Sequence, residues 1–102
     1  MLILGIDPGT ATTGYGVVKT SKNKFELLDF GLIETDKNGS PAKRLLEIYK
    51  QMNSVLRTFK PDIVAIEKLF FARNAKTAMR VGQAHGVLLL SAAKSKAEVF
   101  EY

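Results

Sequence analysis

Two acidic residues, Asp7 and Glu67, each close a short apolar run: Leu2 to Ile6 leads into the first and Ile63 to Ile66 into the second. A carboxylate at the end of a buried strand has lost part of its hydration. Two such groups at one sheet edge also repel each other, a combination that a divalent cation or a basic partner offsets. Magnesium accepts one or two carboxylates together with waters and phosphate oxygens, so this pair beside a basic surface suits metal-assisted phosphodiester hydrolysis. Taken singly, each residue has a plainer reading: Asp7 before Pro8-Gly9 is a good turn opener, and Glu67 before Lys68 can simply leave the sheet into solvent. The turn Asp7-Pro8-Gly9-Thr10 also has the Gly-and-hydroxyl character of loops that cradle phosphate through backbone N–H groups.

A basic surface is supplied by the chain itself. From Lys68 to Ala97 there are six cations (Lys68, Arg73, Lys76, Arg80, Lys94, Lys96) and no acid, whereas the other nine cations and ten anions nearly cancel; the net charge is +5. Segregation of this kind points to a polyanion partner, nucleic acid first. Phe70 and Phe71 stand beside Arg73 and Asn74 in a segment expected to be a loop. Aromatics flanked by cations suit stacking on exposed bases, although either phenylalanine can instead cap the core. Arg73, Lys76 and Arg80 recur at spacings of three and four, so they share a helix face that can follow a phosphate backbone or merely face water.

Other chemistries are excluded. The chain has no cysteine, which removes disulfides, thiolate zinc sites and cysteine nucleophiles together. The single histidine, His85, has no second histidine to join it as a metal ligand and is expected to pack or face solvent. Ser91, Thr12 and Thr13 lack a histidine and acid at the spacing a serine-type nucleophile needs. No cofactor-binding residues beyond metal ligands are expected. The run Leu2 to Ile6 is not a signal peptide, since no basic flank precedes it and it ends in Asp7, and Val87 to Leu90 cannot cross a bilayer, so a cytoplasmic protein is expected.

With 102 residues, 46% hydrophobic and 25% charged, one soluble domain spanning 1–102 is expected, with about 60–70% of its unfolded surface buried. Leu2 to Ile6 reads as a strand buried on both faces, Gly14 to Lys19 as a second, and Phe25 to Thr35 as a third after the turn Ser21-Lys22-Asn23-Lys24, giving an antiparallel meander. Ser40-Pro41 opens a helix in which Leu45, Tyr49, Met52, Leu56 and Phe59 recur until Lys60-Pro61 stops it. Asp62 to Glu67 is a further buried strand, and Ala75 to about Lys96 a helix with Ala78, Gly82 and Gly86 at four-residue spacing, suggesting close approach to the sheet. Val99 to Tyr102 reads as a strand, and Tyr15, Tyr49 and Tyr102 as core or sheet aromatics. The order βββαβαβ is an α/β pattern. A helix joining strands of one sheet leaves them parallel, which brings Asp7 and Glu67 to the same edge if their strands are neighbours.

Ile3-Leu4-Gly5-Ile6-Asp7-Pro8-Gly9 with Thr13-Gly14-Tyr15-Gly16-Val17, then Pro61-Asp62 to Ile66-Glu67, Phe70-Phe71-Ala72-Arg73-Asn74, and Gly82-Gln83-Ala84-His85-Gly86-Val87 resemble, in order along the whole chain, the RuvC family of Holliday-junction resolvases. The resemblance implies a ribonuclease H-like mixed sheet, three antiparallel strands followed by parallel strands joined by helices. It also implies a homodimer that binds a four-way DNA junction and nicks two strands of like polarity, working with the RuvA and RuvB branch-migration proteins. By position, Asp7 and Glu67 correspond to the family's first two metal-binding acids, for two magnesium ions, and Phe70 to the aromatic that stacks on an unpaired base. Members of the family are longer, with further ligands on a late helix beyond the position of Tyr102. The chain is therefore expected to be truncated at its C-terminus, without the C-terminal helices, and by itself to bind magnesium weakly and cut slowly or not at all. Two rival readings are an actin-like nucleotide-binding module, which needs a second lobe, and a non-catalytic scaffold for junction DNA.

Overall fold

Alternation of apolar and small or polar residues along the first third of the chain builds three strands, β1 (Leu2–Pro8), β2 (Thr12–Ser21) and β3 (Lys24–Glu34). In the computed structural model, which describes residues 1–9, 12–36, 38–68 and 74–102, these pair antiparallel in sequence order. The β2–β3 loop is two residues long. Lys22 and Asn23 take φ of 33° and 68°, the left-handed pair that a hairpin turn matched to strand twist requires, and Asn tolerates that region well. A bulge at Leu28 shifts the register, Val17 facing Asp29 and Val18 facing Leu27.

Helix α1 (Pro41–Phe59) starts where Ser40 Oγ accepts the Lys43 N–H at 3.2 Å and proline takes the first helical position. It ends at Lys60, whose φ of 46° turns the chain out of the helix while its N–H still reaches the Leu56 carbonyl; Pro61 then forbids continuation. The remaining elements are β4 (Ile63–Ile66), α2 (Ala75–Lys94) and β5 (Glu98–Glu101). Asn74 caps α2 by accepting the Thr77 N–H at 3.0 Å. The helix ends at Lys94, two residues before the expected Lys96, because the N–H and hydroxyl of Ser95 both turn back to the last carbonyls.

Sheet order is β3-β2-β1-β4-β5, with β4 parallel to both β1 and β5. This is the mixed arrangement the sequence pattern predicts. Both helices pack on one face: Ile48, Met52, Val55 and Leu56 of α1 and Ala84, Leu88 and Ala92 of α2 enclose Leu4, Ile6, Val17, Val64 and Ile66. Of the helical stripe expected for α1, Met52 and Leu56 are fully buried, while Leu45, Tyr49 and Phe59 sit at its margin. Tyr15 packs on the core and its ring lies over Gly31, where a Cβ would meet Tyr15 Oη at 2.6 Å, so the glycine makes room for the ring. Tyr49 and Tyr102 depart from the expectation. Tyr49 uses its hydroxyl to accept from Lys94 Nζ at 2.9 Å, and Tyr102 is 64% exposed with only its backbone extending the sheet.

The small-residue stripe of α2 does not approach the sheet. Gly82 and Gly86 are exposed, with nothing within 4 Å of an added Cβ, since the buried stripe runs through Val81, Ala84, Leu88, Ser91 and Ala92 instead. The opposite sheet face is covered by no described element. Phe25, Leu27, Phe30 and Leu32 of β3, paired with Thr20, Val18, Gly16 and Gly14, lie on it exposed.

Candidate active site

Placement of the acidic pair follows from the ladder between β1 and β4. Ile6 faces Ile66 in parallel register, and pairing runs one step further, the Glu67 N–H donating to the Ile6 carbonyl at 3.0 Å. Asp7 and Glu67 are therefore neighbours at the carboxyl ends of adjacent parallel strands, where α/β sheets place their ligands. Leu4, Ile6, Val64 and Ile66 point into the helical layer. By alternation the two carboxylates point to the helix-free face.

Neighbouring backbone fixes this edge on both sides. The Tyr102 N–H donates to the Ile66 carbonyl at 3.1 Å and the Lys68 N–H to the Tyr102 carbonyl at 2.7 Å, so β5 braces the segment that carries Glu67. At the other end of the strands, Asp62 Oδ2 accepts the Leu2 N–H at 2.8 Å while its backbone pairs with Leu2 and Glu98. Beside Asp7, the cross-strand partner is Gly14, which carries no side chain to crowd the acid.

Asp7 is exposed and Glu67 half-buried, and their side chains share a hydrogen bond. That bond, then the repulsion of the Asp7 charge, and last the partial loss of water hold the Glu67 carboxyl above its ordinary value. The two acids thus titrate as a pair. Because the folded pKa is raised above the unfolded one, the stabilisation belongs to the protonated form. It is present below the ordinary carboxylate range and is lost as pH rises through the raised folded value. Thermal melts from pH 4 to 7 without divalent metal are expected to show this fall, and the variant Asp7→Asn to show less of it. Parallel curves for the two proteins would mean that the acids do not interact.

The donor set fits a hard divalent cation: two carboxylates in contact, whose mutual repulsion the cation removes. Among the described residues no group of three or more His, Asp or Glu side chains gathers, so the pair Asp7 and Glu67 is the donor set described here. Two protein carboxylates with water and phosphate oxygens completing the shell is how magnesium is commonly held.

The other predicted site residues divide. Phe70, Phe71 and Arg73 lie outside the described residues. Asn74 spends its side-chain oxygen on the α2 cap. Lys76 and Arg80 are exposed in the first turns of α2 and line one cleft with Arg44. Lys94 is the last residue of α2 and Lys96 follows it, so Lys94 is roughly 27 Å from Lys76 and roughly 21 Å from Arg80 along the helix. What reads in sequence as one basic window is thus split, and Lys94 is engaged with Tyr49. His85 packs between α2 and β5, 3.3 Å from Glu101, in keeping with the packing role expected of it.

Arg44 was not among the predicted residues. It is 6% exposed, and its guanidinium is held below its ordinary pKa first by burial and then by the charge of Arg80. One signal in the sequence marks it: Arg44 lies four and eight positions before Ile48 and Met52, a cation on the buried stripe of its own helix.

Comparison with known proteins adds to this geometry. Residues 3–102 match the family described as crossover junction endodeoxyribonuclease RuvC. Curated relatives so named include one from Natranaerobius thermophilus, 48% identical over all of this chain and 63% of its own length. Another, from Ruminiclostridium cellulolyticum, is 49% identical over all of this chain and 61% of its own length. The chain thus spans about three-fifths of the length of these relatives. Among solved structures, T. thermophilus RuvC in complex with Holliday junction substrate superposes with a TM-score of 0.89 at 33% identity, covering all of this chain and 65% of that one. A Ppx/GppA family protein from Aquifex aeolicus shares the fold alone, with a TM-score of 0.56 at 12% identity over all of this chain and 35% of that one.

Proposed function

We propose, from the premise that this chain belongs to the crossover junction endodeoxyribonuclease RuvC family and carries its ribonuclease H-like sheet, that it forms a metal-dependent nuclease domain for four-way DNA junctions. The observation that supports this reading most is the contact between Asp7 and Glu67 at the ends of two parallel strands. Residues 1–102 act as one nuclease domain in this reading, working as a homodimer in the cytoplasm on junctions processed with RuvA and RuvB. No helix among the described residues is long and apolar enough to cross a membrane.

Asp7 and Glu67 are the residues that would hold magnesium, with two ions in a complete site. When bound, magnesium activates water and neutralises the charge that builds up in an in-line displacement at phosphorus. A protonated Glu67 would be a poor ligand, so affinity for the cation is expected to rise as pH rises through the raised Glu67 value. The rigid β1–β4 ladder holds the two carboxylates without further ordering. In this reading Phe70 is the base-stacking aromatic, Phe71, Arg73 and Asn74, close to it in sequence, add contacts to DNA, and Lys76 and Arg80 serve the phosphate backbone.

Junction selectivity is tested by fluorescence anisotropy with a synthetic four-way junction and a linear duplex of the same composition, in EDTA at fixed salt. A preference of at least about tenfold for the junction is expected. Equal affinity would reduce the protein to a general binder of polyanions.

A further inference from the structure

The water-facing side of α2 carries no charge. Its three cations, Lys76, Arg80 and Lys94, lie together on the flank that meets α1, where Lys76 and Arg80 share a cleft with Arg44 and Lys94 reaches Tyr49. His85 turns to β5 on the other flank. Between these flanks, Met79, Gly82, Gly86, Leu90 and Ala93 recur at steps of three and four with Gln83 beside them, all exposed, Met79 at 66% and Leu90 at 55%. A helix covered on one side turns charges to solvent, whereas one that is apolar all round is buried. The monomer has no use for the two glycines: an added Cβ at either meets nothing within 4 Å, and each weakens the helix relative to alanine.

Charge selects what covers this face. Nucleic acid finds no cation on it. The chain carries a net charge of +5, so two copies repel wherever their basic surfaces meet, and an uncharged stripe is where they can touch. Its size sets the strength. A 20-residue helix about 30 Å long and about 10 Å across offers on the order of 300 Å². That falls short of the roughly 800 Å² a side of a standard interface, so the association is of micromolar strength.

We infer that the outer face of α2 is where a second copy of this chain docks, the two α2 helices running side by side in the same direction about a two-fold axis and crossing at Gly86. This deepens the reading of the chain as a homodimeric junction nuclease, and the direction of the helices rests on that reading. α2 follows β4, so it starts from the sheet edge that carries Asp7 and Glu67. Helices running the same way therefore present both acidic pairs on one side, to one junction, whereas antiparallel helices point them apart. In a two-fold contact of this kind each residue meets its own counterpart. Gly82 and Gly86 let the backbones approach, and Met79 and Leu90 pack towards the two ends.

The chain has no cysteine, so single cysteines report on one contact at a time. A disulfide needs Cα atoms within about 7 Å. Gly82→Cys and Leu90→Cys are each expected to cross-link to their own kind under mild oxidation, several-fold faster than Glu26→Cys, an exposed position on β3. Cross-linking only when the two variants are mixed would mean antiparallel helices and overturn the arrangement. By sedimentation the 102-residue chain is expected to pass from monomer to dimer over the micromolar range, and Gly82→Gln with Gly86→Gln to raise the dissociation constant at least about tenfold. The melting temperature of this double variant in dilute solution should hold or rise, because glutamine favours a helix over glycine. A chain that stays monomeric up to about 1 mM, or a dimer that the glutamines do not weaken, would reject the contact; junction binding that persists then leaves the nuclease reading standing. A dimer that the glutamines break but that binds no junction would uphold the contact and remove the nuclease reading.

Discussion

Under the proposed nuclease function, Asp7→Asn is expected to lower the slow metal-dependent nicking of a four-way junction by at least about 10² to 10³, the usual cost of deleting one charge-stabilising group from an active site. Junction affinity in EDTA should stay within about threefold, because the proposed phosphate contacts lie on other residues. At a pH above the raised Glu67 value and without metal, the same variant is expected to melt higher than the unsubstituted chain, since the ionised Glu67 loses the neighbouring Asp7 charge. Lost activity with gained stability is the signature of a strained functional pair. A turn-opening aspartate before Pro8-Gly9, with no other role, predicts the reverse: a lower melting temperature and activity falling only in proportion to the unfolded fraction. Junction cleavage and thermal melts on one preparation separate the two, and Glu67→Gln should repeat the pattern.

Ile66→Ala is expected to cost about 2–5 kcal/mol out of a total stability of about 5–15 kcal/mol, enough to leave a domain this small partly unfolded. Ile66 is fully buried, its partner across the ladder is Ile6, and the next residue is Glu67. Truncation opens a cavity under the strand ends that hold both acids. Ile66→Val, which removes one methylene, should cost only about 0.5–1.5 kcal/mol. Urea denaturation measures both; equal, small losses would mean that the strand ends are not supported by this side chain.

Much of this arrangement is legible in the chain because it is local or follows from topology. Continuous apolar runs mark β1 and β4 as strands, but the expected cover on both faces is not found: only alternate residues are buried, under the helices, and no described element lies over the other face. Lys22-Asn23 marks the hairpin, and Ser40-Pro41 and Lys60-Pro61 bracket α1. The meeting of Asp7 with Glu67 follows once β1 and β4 are parallel neighbours. What is not legible depends on rotation about a helix axis or on partners distant in sequence. Gly82 and Gly86 are small, but smallness does not say which side of α2 meets the sheet; Val81, Ala84 and Leu88 settle that by burying more area. Arg44 belongs by type to the surface and only by position to the core stripe. The basic window is continuous in sequence yet divided by the length of α2. On β3, Phe25 at 77% exposure and Phe30 at 73% carry the alternation of a covered face, while no described element lies over them. The hydrophobic pattern specifies that a face is apolar and leaves open what meets it.

Manganese titration followed by NMR line broadening at Asp7 and Glu67 probes the shared cation directly. A single saturable curve common to both residues, shifting to lower metal concentration as pH rises through the Glu67 value, is the expected result. Broadening at one acid alone, or two curves that saturate at different metal concentrations, would contradict a cation held jointly by the two strand ends.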